Sequence, residues 1–356
     1  MHIRGLDVLR GLAIGLVILR HAWPGLFGSA GIVGVVTFFT LSGYLITGLL
    51  MRDVERRGRV DYRRFYRNRL LRLVPALIFF LLGVLLVTLW WDPTAQRASL
   101  WRSILIGLTY TANLPIDVGN DAITHLWTLA TEEQFYLVWP FILTLGIRRH
   151  SLRRWVFASA GLIVVAMIVC LLVLSPNLER MYSLPTSWAL AMVIGAAARI
   201  WSQRVERVLP STVRWRAGIG LASLVGLIAL SFVPDAKDSP YSYLLLGPLV
   251  ALISVALITI WSDWVSLPTR ALLPLVWLGK ISYAAYLWNY AIAVWLHAAV
   301  DEWWVPLGGV ISTIVMATVS WWAIEKPISQ WRRRLDRRNT MAVPRSRSEG
   351  RAPRVF

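Results

Sequence analysis

One segment near the N-terminus carries three ionisable side chains that would share a face of an α-helix. Asp7, Arg10 and His21 are separated by 3 and 11 residues, and at ~100° per residue all three point to the same side. A rise of 1.5 Å per residue separates Arg10 from His21 by about 16 Å along the axis. This stripe suits an extended ligand whose reactive end meets His21, a natural general base near neutral pH. The simpler alternative is that His21 has no catalytic role and its ring is only a hydrogen-bonded interfacial residue near the end of the helix.

A second group of ionisable residues lies in the segment HLWTLATEEQFYLVWP. His125 and Glu132 are seven residues apart and share a helical face. Adjacent Glu132 and Glu133 are unfavourable in a helix surrounded by lipid, so at least one is expected to face the protein interior. There it could serve the chemistry, or it could form a buried ion pair that only fixes helix packing.

Two further segments have residue types that bind ligands. The segment RNRLLRLVP places Arg69 and Arg72 on one helical face, and arginine forks bind phosphates in a bidentate manner. A phosphorylated donor such as coenzyme A could dock there, and a lipid-phosphate contact or a topology signal is an equal alternative. In FFTLSGYLIT, Ser42 and Gly43 are small enough for a helix or a ligand to approach closely.

The composition places these residues in a membrane protein. Of 356 residues, 57% are hydrophobic, far more than in a soluble domain. A helix that crosses the hydrocarbon needs roughly 20 apolar residues. Eleven stretches approach this length, near residues 5–23, 31–51, 73–91, 100–116, 125–146, 155–174, 184–201, 217–233, 243–261, 276–298 and 304–324.

The distribution of arginine favours ten membrane-spanning helices over eleven. If the stretch 100–116 does not cross, all the strongly basic segments fall on one side, as the positive-inside rule requires; these are 52–72, 147–154, 199–216 and the tail from Lys326. We therefore predict an all-α polytopic membrane protein with about ten transmembrane helices and both termini in the cytoplasm.

This topology leaves residues 92–124 outside the cytoplasm, where they would form the wall of an acceptor site. The side chains predicted to line it are Trp101, Tyr110, Asn113, Asp117 and Asp121. Residues 1–331 are predicted to be one transmembrane domain, and residues 332–356 a basic, disordered cytoplasmic tail.

The charge and the cysteine content exclude other classes of protein. The net charge is +18, but the arginines lie in loops that the topology dictates, so we expect no binding of nucleic acid. A single cysteine, Cys170, excludes a disulfide framework and a cysteine metal site. No metal is expected.

Several of these segments resemble, in order and spacing, the acyltransferase 3 family of membrane-bound acyltransferases, which includes bacterial O-antigen and other surface-polysaccharide acetylases. The resemblance covers about residues 5–331. It is carried by LDVLRGLAIGLVILRH, FFTLSGYLIT, RNRLLRLVP, YTANLPIDVGNDAITHLWTLATEEQFYLVWP, ISYAAYLWNYAI and AIEKPISQW.

The resemblance implies a ten-helix enzyme that takes an acyl group, usually acetyl, from acyl coenzyme A in the cytoplasm. His21 would be the catalytic base and Arg10 would support donor binding or the integrity of the site. Arg69 and Arg72 would contact the coenzyme, and Ser42 is grouped with these donor-binding candidates.

The remaining candidates would hold or tune the site. Glu132 and Glu133 are grouped with the catalytic residues, and the expected supporting residues are Asp7, His125, Tyr286 and Glu325. Asn289 stands where many family members have histidine, and this departure is expected to leave His21 unaffected.

We therefore predict an O-acyltransferase of the bacterial inner (plasma) membrane that uses acetyl-CoA or another acyl-CoA. Its acceptor would be a cell-surface or secreted glycan, a lipid-linked sugar or a small hydroxylated molecule, and membrane lipids would surround it. Some family members carry an extracytoplasmic esterase-like domain; this chain is expected to act directly or through a separate extracytoplasmic transferase. Direct attack is favoured over an acyl-histidine relay.

A secondary transporter or flippase is the alternative function. It would use Asp7, Arg10, Glu132 and Glu133 as a polar pathway through the membrane. The sequence shows neither an evident internal repeat nor a pair of Gly- and Pro-broken helices, which are typical of transporters.

Overall fold

The computed structural model describes residues 3–175, 178–234, 237 and 239–341. Within these residues the chain is helical and contains no β-strand. The α-helices are α1 (Arg4–Ala22), α2 (Ala30–Arg57), α3 (Tyr62–Trp90), α4 (Leu100–Thr109), α5 (Trp127–Arg148), α6 (Leu152–Leu174), α7 (Pro185–Ile200), α8 (Ser202–Val208), α9 (Val213–Ser231), α10 (Gly247–Trp261), α11 (Leu273–Lys280), α12 (Ser282–Ala299), α13 (Val305–Ser320) and α14 (Lys326–Met341).

Seven helical stretches among the described residues are long and apolar enough to cross a bilayer, and an eighth is added if α11 and α12 form one bent span. The chain is therefore an all-helical, multi-pass membrane protein. The seven contain α2, α3, α6, α7, α9, α10 and α13. Helices α1 and α5 are not among them, and these two helices contain five of the ionisable residues singled out above, Asp7, Arg10 and His21 in α1 and Glu132 and Glu133 in α5.

The charged helix α1 lies inside the bundle, whereas α6 and α9 lie at its surface. Eleven of the 19 residues of α1 are buried, against three of 23 in α6 and three of 19 in α9. Helix α1 packs against α2, α10, α11, α12 and α13. The apolar side chains of α6 and α9 can face lipid at no cost, whereas the charges of α1 cannot.

Two pairs of glycines allow helices to pack backbone against backbone. A Cβ on Gly43 of α2 would lie 1.9 Å from the Met192 carbonyl oxygen of α7. A Cβ on Gly195 of α7 would lie 2.0 Å from the Thr40 carbonyl oxygen of α2. Helices α1 and α11 meet in the same way through Gly11 and Gly279. Small residues at such crossings permit the close approach that stabilises helix pairs in membranes.

Three sequence-based expectations about the helices require correction or completion. The stretch 276–298 is not one helix, because α11 and α12 meet at a 70° bend; Gly279 and Ser282 flank it, and glycine and serine are common at kinks. Helix α4 has 10 residues, about 15 Å, which is too short to span a bilayer. Helix α14 extends through Met341 into the segment expected to be disordered, and residues 342–356 lie outside the described residues.

Gly43→Ala is expected to destabilise the protein by about 1–3 kcal/mol, because the added methyl group cannot fit against α7 without separating the two backbones. Unfolding in mixed detergent micelles measures this change. Gly161→Ala is the matched control, since its Cβ would meet nothing within 4 Å on the lipid-facing surface of α6. Equal stability of the two variants would show that the α2–α7 contact is not tightly packed.

Candidate active site

Three cavities lie in a row through the bundle. The first, the histidine chamber, has a volume of about 610 Å³ and is lined by His21, His125, Tyr286 and Tyr290 together with loop residues. The second, the middle cavity, has a volume of about 170 Å³ and is lined by Arg10, Ser42, Glu132 and Tyr136 among others. The third, the arginine vestibule, has a volume of about 650 Å³. Adjacent cavities share lining residues, so each cavity lies directly beside the next.

The arginine vestibule is strongly basic. It is formed by the end of α2, the beginning of α3 and one residue of α14, and its charged lining residues are Arg52, Asp53, Arg56, Arg57, Arg64, Arg69, Arg72 and Arg332. Seven arginines thus face one carboxylate, and such a lining attracts a ligand with several phosphates. Arg69 and Arg72 also line the middle cavity and mark the boundary between the two.

An ion-pair cluster joins α3 to α5 beside the middle cavity. The Arg69 guanidinium lies 3.1 Å from a Glu133 oxygen and 3.6 Å from a Glu132 oxygen, and it stacks 3.6 Å above the Tyr136 ring. The Glu132 carboxylate also accepts hydrogen bonds from the hydroxyls of Ser42 and Tyr136. Both glutamates therefore point into the protein, whereas the sequence predicted this for at least one of them.

A narrow boundary separates the middle cavity from the histidine chamber. Val35, Thr128 and Tyr286 line both cavities. The hydroxyls of Thr128 and Tyr286 lie 2.5 Å apart, and the Tyr286 hydroxyl donates to the carbonyl oxygen of His125 at 2.6 Å. We call Val35, Thr128 and Tyr286 the constriction.

His21 lies near the end of α1 within an aromatic and polar shell. Its Nδ1 atom is 2.5 Å from Oδ1 of Asn289, and its ring contacts the edge of Tyr290 at a centroid distance of 5.0 Å. Tyr290 lies 5.2 Å from the ring of His125, whose Nε2 is 3.0 Å from the Leu287 carbonyl oxygen. His125 precedes α5 in a short 3₁₀ turn, Asp121–Leu126.

The predicted stripe on α1 follows the row of cavities. Asp7 is buried and accepts a hydrogen bond from Arg10 at 3.3 Å, Arg10 lines the middle cavity and His21 lines the histidine chamber. Glu325, by contrast, lies in a π-helical turn between α13 and α14 and lines none of the three cavities.

Only part of the segment predicted as an acceptor wall lines the histidine chamber. Residues 112 and 114–118, including Asp117, line the histidine chamber. Trp101 and Asp121 are exposed away from the chamber, Tyr110 does not line it, and Asn113 is buried with hydrogen bonds to Thr131 and Gln134. Helix α4 ends at Thr109, and Tyr110 has a left-handed backbone conformation that turns the chain. Only the irregular segment after this turn lines the chamber.

Several residues of the chamber were not predicted. Arg20, Arg180, Tyr182, Lys237 and Tyr290 all line it. Arg20 and Tyr290 adjoin the predicted residues His21 and Asn289, so their proximity could have been inferred. Arg180, Tyr182 and Lys237 lie in connectors, where neither helical periodicity nor hydrophobicity indicates which cavity a side chain faces. Within the described residues, no group of three His, Cys, Asp or Glu side chains could hold a metal ion.

Comparisons with known proteins give a family and distant relatives. A family model described as an acyltransferase domain matches residues 3–325. The chain is 28% identical over 351 residues to the O-acetyltransferase OatA of Staphylococcus aureus, covering 92% of this chain and 57% of the relative. It is 28% identical over 357 residues to the peptidoglycan O-acetyltransferase OatA of Listeria monocytogenes, covering 92% and 56%.

The chain spans little more than half the length of these relatives. The same holds for a putative O-acetyltransferase of Staphylococcus aureus, which is 29% identical over 356 residues and is covered to 57%. No solved structure is significantly similar to the chain.

Arg69→Met is expected to destabilise the protein by about 3–5 kcal/mol, because two largely buried carboxylates would lose their cation. Unfolding in detergent micelles measures the loss. Arg102→Met is the control, since Arg102 pairs with Asp117 across a surface where their side chains are 51% and 71% exposed, and such pairs contribute ~0–1 kcal/mol. Adding Glu132→Gln and Glu133→Gln to Arg69→Met should restore part of the stability. An Arg69 variant as stable as the Arg102 variant would contradict the cluster's structural role.

Proposed function

This chain belongs to the acyltransferase 3 family, and on that premise we propose that it is a membrane-bound O-acyltransferase. It moves an acyl group, with acetyl as the expected one, from acyl coenzyme A to a hydroxyl group on the opposite side of the membrane. The observation that carries this proposal is the row of three cavities, which begins at seven arginines and ends at His21. The names of the relatives favour a cell-wall glycan as the acceptor.

The proposed topology has ten spans and both termini in the cytoplasm. Helices α1 and α5 are added to the eight stretches identified by length and apolarity, with α11 and α12 taken as one bent span. The arginine vestibule then lies at the cytoplasmic face, where acyl coenzyme A is available and where the positive-inside rule places arginine. The histidine chamber lies at the opposite face of the bacterial inner membrane and is open to the acceptor.

The donor is proposed to enter from the vestibule. The arginines of the vestibule, including Arg69 and Arg72, neutralise its phosphates, while its uncharged arm extends past Arg10 into the middle cavity. The acyl thioester then reaches His21 through the constriction. The distance of about 16 Å between Arg10 and His21 along α1 requires such an extended ligand.

His21 is proposed to act as the general base. The acceptor oxygen forms a bond to the acyl carbon while His21 takes the hydroxyl proton; the carbon–sulfur bond breaks, and the proton is returned to the leaving sulfur. Glu132 and Glu133 are held by Arg69 beside the middle cavity rather than in the histidine chamber. We therefore assign them, together with Ser42 and Asp7, to holding the donor-side cavity in shape, and His125 and Tyr286 to forming the wall near His21.

A transporter would use the same row of cavities to move a small molecule across the membrane. The family match favours acyl transfer, since a transporter has no need of a histidine at the end of a path lined by arginines. Counterflow of a labelled glycan precursor without acyl coenzyme A, in vesicles that contain the purified protein, would support transport instead.

Replacement of the base is the first test of the reaction. His21→Asn should lower acyl transfer by about 10²–10⁴-fold, the usual contribution of a general base, with donor binding retained. Thiol release from acetyl coenzyme A in the presence of membrane glycan extract measures transfer, and calorimetry measures binding. His150→Asn, in the loop between α5 and α6, is the matched control. Wild-type turnover in His21→Asn would remove His21 from the chemistry.

The single cysteine of the chain allows a test of the path. In a Cys170→Ser background, Val35→Cys places a thiol at the constriction of the folded protein. Labelling it with a bulky maleimide should abolish acyl transfer, because the acyl group can no longer reach His21. Labelled Val165→Cys, on the exposed side of α6, should retain activity. Full activity of the labelled Val35→Cys variant would place the path elsewhere.

A further inference from the structure

Asn289 of α12 is buried and connects His21 to α13. The side chain is 3% exposed, with Oδ1 lying 2.5 Å from Nδ1 of His21 and Nδ2 lying 3.3 Å from Oγ1 of Thr313. Thr313 is fully buried. Residue 289, where the sequence departs from the family resemblance, is therefore in direct contact with the ring of His21.

The hydrogen bonds from Gly309 through Thr313 and Asn289 to His21 form a series, and the direction of each follows from the one before it. The Thr313 hydroxyl donates its only proton to the Gly309 carbonyl oxygen, 2.7 Å away, as threonine commonly does within a helix. Its oxygen can then only accept, so the group of Asn289 that faces Thr313 is the amide NH₂. The two ends of an asparagine amide are told apart by such networks. The amide oxygen of Asn289 consequently faces His21.

An amide oxygen accepts hydrogen bonds and cannot donate them. The Nδ1 atom of His21 must therefore carry a proton to make this contact. In the neutral imidazole, the other nitrogen, Nε2, then has no proton and presents a lone pair. A general base needs such a lone pair, and the partner of the other ring nitrogen decides which nitrogen offers it.

We propose that Asn289 is a positioning residue that fixes His21 as the Nδ1–H tautomer, and that Thr313 fixes the orientation of Asn289. The catalytic part of this inference rests on the proposed role of His21 as the base. The tautomer itself depends only on the hydrogen bonds. The side chain of asparagine does not titrate, so the acceptor facing Nδ1 stays the same at every pH at which the protein is folded.

The tautomer can be observed without any activity. Nitrogen-15 NMR of the full chain, labelled at its five histidines and assigned by comparison with His21→Asn, reports which ring nitrogen carries the proton. The wild type is expected to show His21 protonated at Nδ1. Asn289→Leu, of similar shape but without an acceptor, should lose this preference, whereas Asn289→Asp should retain it. A wild-type His21 protonated at Nε2 would overturn the proposal.

Kinetics then separate positioning from a merely structural role. Asn289→Leu should lower kcat about 10²-fold or more, in line with loss of a correctly placed base, while KM for acetyl coenzyme A stays unchanged. Thr313→Val should lower kcat by a smaller factor, on the order of tenfold, because the amide can then rotate. Thr318→Val, on another face of α13, is the control and should retain wild-type kinetics. Asn289→Asp should restore most of the kcat lost in Asn289→Leu.

The outcomes distinguish the two levels of inference. If Asn289→Leu keeps both the tautomer and kcat of the wild type, Asn289 does not position His21. If the tautomer is as expected but His21→Asn transfers acyl groups normally, the hydrogen-bond chain stands and the proposed function of His21 fails.

Discussion

The cost of placing charge in hydrocarbon determines which helices occupy the centre of this protein. A charged side chain at the middle of a bilayer costs ~2.5–3.5 kcal/mol on insertion scales, and more by other estimates. Helices α1 and α5 carry such residues on faces that other helices cover, while α6 and α9, whose charged residues lie only in their first turns, are largely exposed. Asp7 pairs with Arg10, and the single cation of Arg69 pairs with two carboxylates, those of Glu132 and Glu133.

Compensation of charge alone would not align the cavities. The glycine contacts between α1 and α11 and between α2 and α7 bring these backbones together, and side chains of α1 and α2 both line the histidine chamber and the middle cavity. The bend between α11 and α12 lets these two consecutive helices contact different parts of α1. Helix α11 packs along the first part of α1, and α12 crosses its end and brings Asn289 to His21.

Much of the site could be predicted from local sequence, and the reason is periodicity. The spacing of Asp7, Arg10 and His21 fixes one face of one helix, and the two adjacent glutamates, Glu132 and Glu133, predict that at least one of them faces the interior. Periodicity does not predict contacts between distant segments. His21 and Asn289 are 268 residues apart, and neither segment has a pattern that indicates contact with the other. The residues that line the histidine chamber from this segment could not be predicted for a related reason. Residues 110–120 form no regular helix, so periodicity does not indicate the direction of their side chains.

The division into three cavities has a chemical consequence for the proposed reaction. The phosphates of a donor gain most from the vestibule, and the small, more apolar middle cavity offers them only Arg10, Arg69 and Arg72. The charged end of the donor therefore stays behind, and only an uncharged arm with its acyl group can reach the constriction. On the other side, the histidine chamber is large enough to admit water as well as an acceptor. A base with a fixed lone pair, held by a partner that does not titrate, would activate either, so the choice of sugar hydroxyl over water must come from how the acceptor fills the chamber. The connectors that carry Arg180, Tyr182 and Lys237 line this chamber together with the helices, and for the proposed reaction we expect them to contribute to the choice of acceptor.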